Sequence, residues 1–488
     1  MIGYLARNLP LLDTFGPAPR RRRAPVRARV APVIPRLSDL LEGSVVAAKG
    51  PLGRPVGGLA TDFRRVVPGT VFFALPQAGT AGARSIGEAV ARGAAAVVVD
   101  RLPLIPPTAR TTFVQAGDVA AALAGAARRH FGFPDRAMTL VGVGGGRGKT
   151  SVGHLLTHLL GGDQRVGLLG SVRYELGARI VPASEGGIDA LEAQGLLAQM
   201  RDAGCRHAVI EAGASALGAC AAEGLPWAAA VFTNANGSSG TIAGAADAWH
   251  RLFAGDAARA LPVAVVNSDD AEGARLAAEL RAEGRTRVVT FGTSDVAEVR
   301  GEARAGGARL VRWPGGELEV VSPLAGREHA ENLLAAVATA WAVGRDPRVV
   351  LARLRSFPGV PGRLERVETG RSFPVWIDSA RTAHELRRTL STVRAETKGR
   401  LIVVLGSVVD ATAEAVVSRL ADEVHAGPDR RRVLAAALAA ARDGDAIVAA
   451  GRGNEAYENW GDFRVPGDDR RLLRGLLASS GAAGEGNS

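Results

Sequence analysis

Between residues 136 and about 343, short apolar runs alternate with helical patterns; the runs fall at 139–143, 166–169, 207–211, 229–233, 262–267 and 287–291. Runs of this length, without polar alternation, belong to strands buried on both faces. Separated by helices, they predict a mostly parallel sheet covered on each side. Ligands of such sheets bind beyond the carboxyl ends of the strands. Glu211, Thr233 and Asn234 fall at those ends.

The first run leads into Gly142-Val143-Gly144-Gly145-Gly146-Arg147-Gly148-Lys149-Thr150-Ser151, and a helical pattern follows over 154–160. A strand, a glycine-rich turn and a helix together present backbone N–H groups and a helix N-terminus to phosphate. The lysine of such a loop reaches the terminal phosphates, and the hydroxyl after it reaches Mg²⁺. The usual loop opens on glycine where this chain has Val143, so the part that fits is Gly145-x-x-Gly148-Lys149-Thr150-Ser151. Gly145, Gly146, Arg147, Gly148, Lys149, Thr150 and Ser151 are therefore the candidate phosphate-binding residues. The plainer alternative is a glycine-rich turn with a surface lysine. Against it, Lys149 is one of only three lysines, with Lys49 and Lys398. A chain so biased towards arginine keeps lysine where a compact point charge is wanted.

The chain has 488 residues, too many for one core, so about three domains are expected. The net charge of +11 is uneven: residues 1–36 hold eight Arg and one Asp, or +7, which leaves +4 for the remainder. The basicity is thus mostly a property of a Pro- and Arg-rich tail, and no nucleic-acid partner is expected. Two cysteines, Cys205 and Cys220, form neither a disulfide framework nor a metal spacing, which suits a reducing cytoplasm. No run reaches the roughly 18 apolar residues of a membrane span. The start of the chain is a poor signal peptide, because its short apolar part precedes the Arg20–Arg23 run.

The fold expected is α/β in three domains: a central P-loop parallel sheet, a small N-terminal α/β domain and a Rossmann-like C-terminal domain. Residues 1–36 read as a disordered basic tail. Residues 37–135 form the N-terminal domain, with buried strands at 71–75 and 95–99 and helices at 85–92 and 119–131. Residues 136–343 form the central domain. Residues 344–479 form the third, with strands at 375–378, 401–405 and 446–450 and helices at 383–393, 413–424 and 431–441. Residues 461–469 read as a loop and 480–488 as a frayed tail.

Several stretches, in order, resemble the Mur ligases over roughly residues 40–475, with the UDP-N-acetylmuramyl-tripeptide synthetase branch nearest. Asp62 to Leu75 looks like the family's uridine-nucleotide segment, and Gly142 to Ser151 like its Gly-Thr-Asn-Gly-Lys-Thr-Thr loop. Ile210-Glu211-Ala212-Gly213-Ala214-Ser215-Ala216-Leu217 is similar to Met-Glu-Val-Ser-Ser-His-Ala-Leu, and Phe232-Thr233-Asn234 to Phe-Thr-Asn. Gly326 to Asn332 resembles the adenine-contacting segment, and Gly359-Val360-Pro361-Gly362-Arg363-Leu364-Glu365 the start of the third domain. Ile377-Asp378-Ser379-Ala380-Arg381-Thr382 resembles Val-Asp-Tyr-Ala-His-Thr, and Gly451-Arg452-Gly453-Asn454-Glu455-Ala456-Tyr457 resembles Gly-Lys-Gly-His-Glu-x-Tyr.

The resemblance implies an ATP- and Mg²⁺-dependent ligase of peptidoglycan precursor synthesis, acting as a cytoplasmic monomer. Its substrates would be a UDP-muramyl-peptide-like carboxylate and an amino acid. The carboxylate would be activated as an acyl phosphate, and the amine would attack it to form an amide. Several negative charges then share one pocket, which demands cations and oriented N–H groups. Lys149 and Glu211 are implied as catalytic, Thr150 and Glu211 as metal ligands, and Asn332, Arg363 and Asp378 as nucleotide contacts. Arg64, Gly451 and Glu455 are implied at the substrate end. Read from residue type alone, three of these keep a plainer alternative: Glu211 a carboxylate at a helix N-terminus, Asn332 a helix cap and Asp378 a turn former.

The chain also departs from the pattern. The family's second-metal histidine falls on Ser239, and its carbamylated lysine on Trp249. Its substrate-holding Thr-Thr falls on Gly186-Gly187, and the histidine of its Ser-Ser-His on Ser215. The Tyr and His of its third-domain motif are Ser379 and Arg381, and the segment that selects the diamino acid is absent near 424–429. Two readings follow: a ligase of this type, or a degenerate paralogue that binds nucleotide or a cell-wall protein without turnover.

Overall fold

The computed structural model describes residues 34–75, 81–102, 110–184, 187–213, 224–235, 252–253, 261–304, 308–321, 327–406, 410–453, 455, 457–460 and 463–482. The tail expected over 1–36 lies almost wholly outside them.

The first unit is a five-stranded sheet in the order β1-β5-β4-β3-β2, with β1 Val45–Lys49, β2 Gly58–Ala60, β3 Thr70–Phe73, β4 Ala96–Val99 and β5 Thr112–Ala116. Only β1 runs antiparallel to its neighbour. Helices α1 Leu37–Leu40, α2 Ala81–Ala91 and α3 Val119–His130 accompany it. α2 starts four residues before the 85–92 expected.

The middle unit carries the functional edge. Its seven parallel strands are β6 Thr139–Gly144, β7 Arg165–Leu169, β10 Cys205–Glu211, β11 Trp227–Phe232, β12 Val263–Asn267, β13 Arg287–Gly292 and β14 Val299–Ala303. They lie in the order β14-β13-β12-β11-β6-β10-β7. Antiparallel ribbons extend both edges: β8 Arg173–Leu176 with β9 Arg179–Pro182, and β15 Ala308–Trp313 with β16 Gly316–Val321. These edge strands lack the continuous apolar runs of the central ones and take their register from hairpins. The helices are α4 Lys149–Leu160, α5 Ala190–Asp202, α6 Ala271–Glu283, α7 Arg327–Ala342 and α8 Pro347–Arg353.

Both faces of this sheet are buried, as the apolar runs require. On β6, Leu140 faces one cluster while Val141 and Val143 face another; on β10, Ala208 and Ile210 oppose Val209 in the same way. α4 presents Val152, Leu155, Leu156 and Leu159, at helical spacing, to Leu333, Leu334 and Val337 of α7. Each such fully buried leucine contributes about 1.5–3 kcal/mol. The opposite cluster runs without a break from Leu37, Phe73 and Leu123 of the first unit into Leu140, Leu197, Met200 and Ile210 of the middle unit.

The third unit is a sheet in the order β17-β18-β21-β19-β20, with β17 Glu365–Val367, β18 Val375–Asp378, β19 Leu401–Leu405, β20 Glu423–Ala426 and β21 Ala446–Ala450. A separate hairpin follows, β22 Tyr457–Trp460 with β23 Phe463–Pro466. Helices α9 Ala383–Glu396, α10 Ala411–Leu420, α11 Arg430–Ala440 and α12 Asp469–Ala482 complete it. Three expectations change here. The helix expected over 413–424 stops at Leu420, because Asp422 joins the sheet. Its N–H donates to the Leu401 carbonyl (2.9 Å) and its carboxylate accepts from Leu401 N–H (2.7 Å). The loop expected over 461–469 holds β23. The frayed tail expected from 480 is still helical at Ala482. The change of core also falls later than 344, since Val350, Leu351, Leu354, Phe357 and Val360 pack in the middle cluster. Among the described residues no helix is long and apolar enough to cross a membrane.

One buried ion pair holds the third unit together. Arg430 and Asp469 are 2% and 0% exposed, joined by a two-pronged contact of 3.0 and 2.7 Å. Arg430 also donates to the carbonyls of Val404 and Ala450 at the ends of β19 and β21. Breaking a buried pair strands the remaining charge, at a cost of about 3–5 kcal/mol. Arg430→Ala is expected to destabilise this unit by that amount in chemical denaturation, with the paired Arg430→Met, Asp469→Leu change recovering most of the loss.

Candidate active site at the carboxyl edge of the middle sheet

Where β6 ends, Gly145 and Gly148 take left-handed conformations (φ 112° and 85°). Neither has room for a side chain: a Cβ on Gly145 would overlap Thr233, and one on Gly148 would overlap the Asn332 amide. Asn234 staples the loop between them. Its side chain accepts from Arg147 N–H (3.0 Å) and donates to the Arg147 carbonyl (3.1 Å), while its own carbonyl accepts from Gly146 N–H (2.5 Å). Asn267 in turn holds the Thr233 carbonyl (2.9 Å). α4 starts at Lys149, so helix geometry leaves the N–H groups of Lys149, Thr150 and Ser151 without intrahelical acceptors, directed at the loop mouth.

β10 ends beside the loop, with Glu211 paired in register to Val143. Glu211 is 1% exposed. It accepts from Ser171 N–H (3.2 Å), Ser171 Oγ (3.0 Å) and Thr150 Oγ1 (3.2 Å). Burial pushes its carboxyl above the usual range; the Ser171 hydrogen bonds and the Lys149 charge oppose that only in part. Burial also lowers the Lys149 ammonium, with Glu211 opposing and Arg363 reinforcing the shift. The Lys149 ammonium is seated on the carbonyls of Gly145 (2.8 Å) and Gly146 (2.5 Å). Thr150, Ser171 and Glu211 thus gather hydroxyl and carboxylate oxygens at one point, the donor set a hard cation such as Mg²⁺ takes. Ser171 was not singled out in the sequence. Its signal was available, since it follows the carboxyl end of β7 after Gly170, where a Cβ would lie 2.9 Å from Glu211 Oε1.

The other candidates are distributed unevenly. Asn332 abuts the loop at Gly148. Arg363, from the start of the third unit, is close enough to act electrostatically on both Lys149 and His154. Burial drives the His154 imidazole down to about 4, so it sits neutral behind the loop and meets the Thr150 carbonyl through Nδ1 (2.9 Å). Asp378 has both oxygens engaged inside the third unit, accepting from Leu364 N–H (2.7 Å), Ala380 N–H (2.9 Å) and Thr389 Oγ1 (3.1 Å). Leu364 sits at φ 43°, so one of these bonds fixes a strained residue next to Arg363. Gly451 (φ 99°) and Glu455 form a second cluster, because Arg381 donates to the Gly451 carbonyl and pairs with the Glu455 carboxylate. Arg64 stands apart. Its side chain is 75% exposed and paired locally with Asp62, whose carboxyl it holds below the usual range. A hydrogen bond from Thr61 to Asp189 (2.8 Å), near Arg64 and Gly187, ties this segment to the start of α5. Gly186, Ser215, Ser239 and Trp249 lie outside the described residues.

Residues 143–340 match the Mur ligase middle domain. The chain is 31% identical over 471 residues to the UDP-N-acetylmuramoyl-L-alanyl-D-glutamate–2,6-diaminopimelate ligase of Solibacter usitatus, covering 87% of this chain and 94% of that one. It is 31% identical over 509 residues to the UDP-N-acetylmuramyl-tripeptide synthetase of Roseiflexus sp., covering 92% and 100%. Among solved structures, a UDP-N-acetylmuramoyl-L-alanyl-D-glutamate–2,6-diaminopimelate ligase superposes with a TM-score of 0.68 at 21% identity, over 92% of this chain and all of that one. The ligase MurF of Thermotoga maritima in complex with ADP gives 0.54 at 17% identity, over 86% and 96%. With the fold, the phosphate loop and full-length relatives in agreement, the chain belongs to the Mur ligase family.

Proposed function

We propose that this chain is an ATP-dependent ligase of peptidoglycan precursor synthesis. It would join an amino acid to the carboxylate of a UDP-muramyl-peptide-like substrate through an acyl phosphate. The observation that carries this reading is the meeting of Lys149, Thr150, Ser171 and Glu211 at the mouth of the loop. Mg²⁺ bound there would offset charge on the transferring phosphoryl group. Thr150, Glu211 and Ser171 would hold it, directly or through water. Lys149 leaves its carbonyl seat for the terminal phosphate oxygens, a short swing of its four-carbon stem. Arg363 adds a second cation from the third unit. Asn332 is left to meet the base. Asp378 is assigned to holding Leu364, and with it Arg363, rather than to the ribose. Arg64 and the Gly451–Glu455 cluster mark the two ends of the substrate. We place the reaction in the cytoplasm, with the enzyme a monomer.

The test is amino-acid-dependent phosphate release by the full chain with ATP, Mg²⁺ and a UDP-muramyl dipeptide, run across the amino acids. Release is expected to require both the muramyl substrate and one amino acid. ATP binding without release for any amino acid transfers the chain to the second reading, a nucleotide-binding paralogue. That reading rests on Ser239 and Trp249 at the positions of the family's second-metal histidine and carbamylated lysine.

A further inference from the structure

The middle sheet carries a second polar site at its opposite edge. His207 begins the stretch of β10 that pairs with β6, in register with Thr139, and Glu211 ends it beside Val143. Four residue steps along the strand separate the two, about 13 Å. A cavity of about 670 Å³ opens at the His207 end. Arg136, Gln164, Arg206, His207 and Arg345 supply its polar lining, and no Asp or Glu lines it. Among the described residues none of the three arginines is ion-paired. Two of them are nonetheless held in place. Arg345 donates to Gln164 Oε1 (2.6 Å), the same oxygen that lies 3.1 Å from His207 Nε2. Arg136 stacks over the Phe133 ring, 4.4 Å from its centroid. Arg206 is exposed.

Three guanidinium groups gathered without a counter-charge repel one another, and an anion between them removes that cost. Their planar forks match the oxygens of phosphoryl groups. The volume exceeds what one inorganic phosphate fills and suits a phosphorylated small molecule. We infer that this cavity is a second anion site, distinct from the phosphate loop, that takes a small molecule bearing phosphoryl groups. It stands on residues the ligase reading does not use.

The experiment is calorimetric titration of the full chain carrying Lys149→Ala, which weakens the loop's own hold on phosphate. Inorganic pyrophosphate and glucose 6-phosphate are the probes. At least one of them is expected to bind, and adding Arg206→Glu is expected to weaken that binding by about tenfold or more, the scale of a lost charge-assisted hydrogen bond. Which probe binds tells an inorganic from an organic source. No binding by either probe, or equal affinity with and without Arg206→Glu, overturns the inference. The Arg206 side chain makes no hydrogen bond to a described residue, so its reversal leaves the fold intact, and an unchanged melting temperature checks this. ATP affinity of Arg206→Glu in the otherwise native chain is expected to be unaltered, which separates failure of this site from failure of the loop.

Discussion

Lys149→Ala lowers ATP-dependent turnover by about a thousandfold and weakens ATP binding, while the melting temperature of the nucleotide-free chain holds or rises. The rate loss is the scale seen when one preorganised charge is removed from a developing anion. The stability result follows from burial, which holds the ammonium below its ordinary pKa, so that the folded state carries a desolvated charge. The carbonyls of Gly145 and Gly146 are the two acceptors that lose a partner. Steady-state kinetics with nucleotide titration and melting curves checks both halves. Turnover within tenfold of the native chain would remove the loop from the chemistry.

Glu211→Gln is expected to cut turnover about a hundredfold or more, the several kcal/mol of a misplaced metal. It is also expected to make the metal-free fold more stable at neutral pH. The amide carbonyl still accepts from Ser171 N–H, its NH2 donates to the Ser171 and Thr150 hydroxyls, which can turn to accept, and a buried charge is removed. The carboxyl is raised above its ordinary value of 4.5 when folded, so the folded chain holds that proton more tightly than the unfolded one. Its contribution to stability is full below about pH 4.5 and is lost as pH rises through the folded value. Native and variant chains therefore diverge across that window and stay apart above it, the variant melting higher. Added Mg²⁺ reverses the order, because it stabilises only the chain that binds it. Melting temperature against pH, with and without Mg²⁺, is the measurement. A variant that melts lower without metal and gains as much from Mg²⁺ as the native chain would take Glu211 out of the metal site.

The middle sheet was legible because its strands are apolar on both faces and its loop spends glycine where left-handed backbone is needed. Lys149 and Thr150 were marked by the glycine-rich turn and Glu211 by its strand end, and the structure brings them together. Ser171 occupied an equivalent place and was passed over, since a lone serine after a Gly carries no charge to mark it. β20 was hidden because Asp422, which precedes it, works by pairing with Leu401, and no local pattern encodes a partner 21 residues away. The same is true of Arg381. Against the family pattern it is a departure from histidine, yet in space it grips Glu455, 74 residues on. Asp378 shows the reverse. The resemblance implied a nucleotide contact there and residue type alone a turn former; its oxygens accept from Leu364, Ala380 and Thr389 of the chain itself.

The unbroken apolar layer from Phe73 and Leu123 to Leu140 and Ile210 has a consequence for how the molecule comes apart. Neither partner in that layer can open without wetting the other, so the first two units melt as one cooperative block. The third unit has clusters of its own on both sheet faces and unfolds as a second block. Arg363 lies near the seam between the blocks and its charge acts on Lys149, so local opening of the third block withdraws a cation from the loop while the first block, loop included, stays folded.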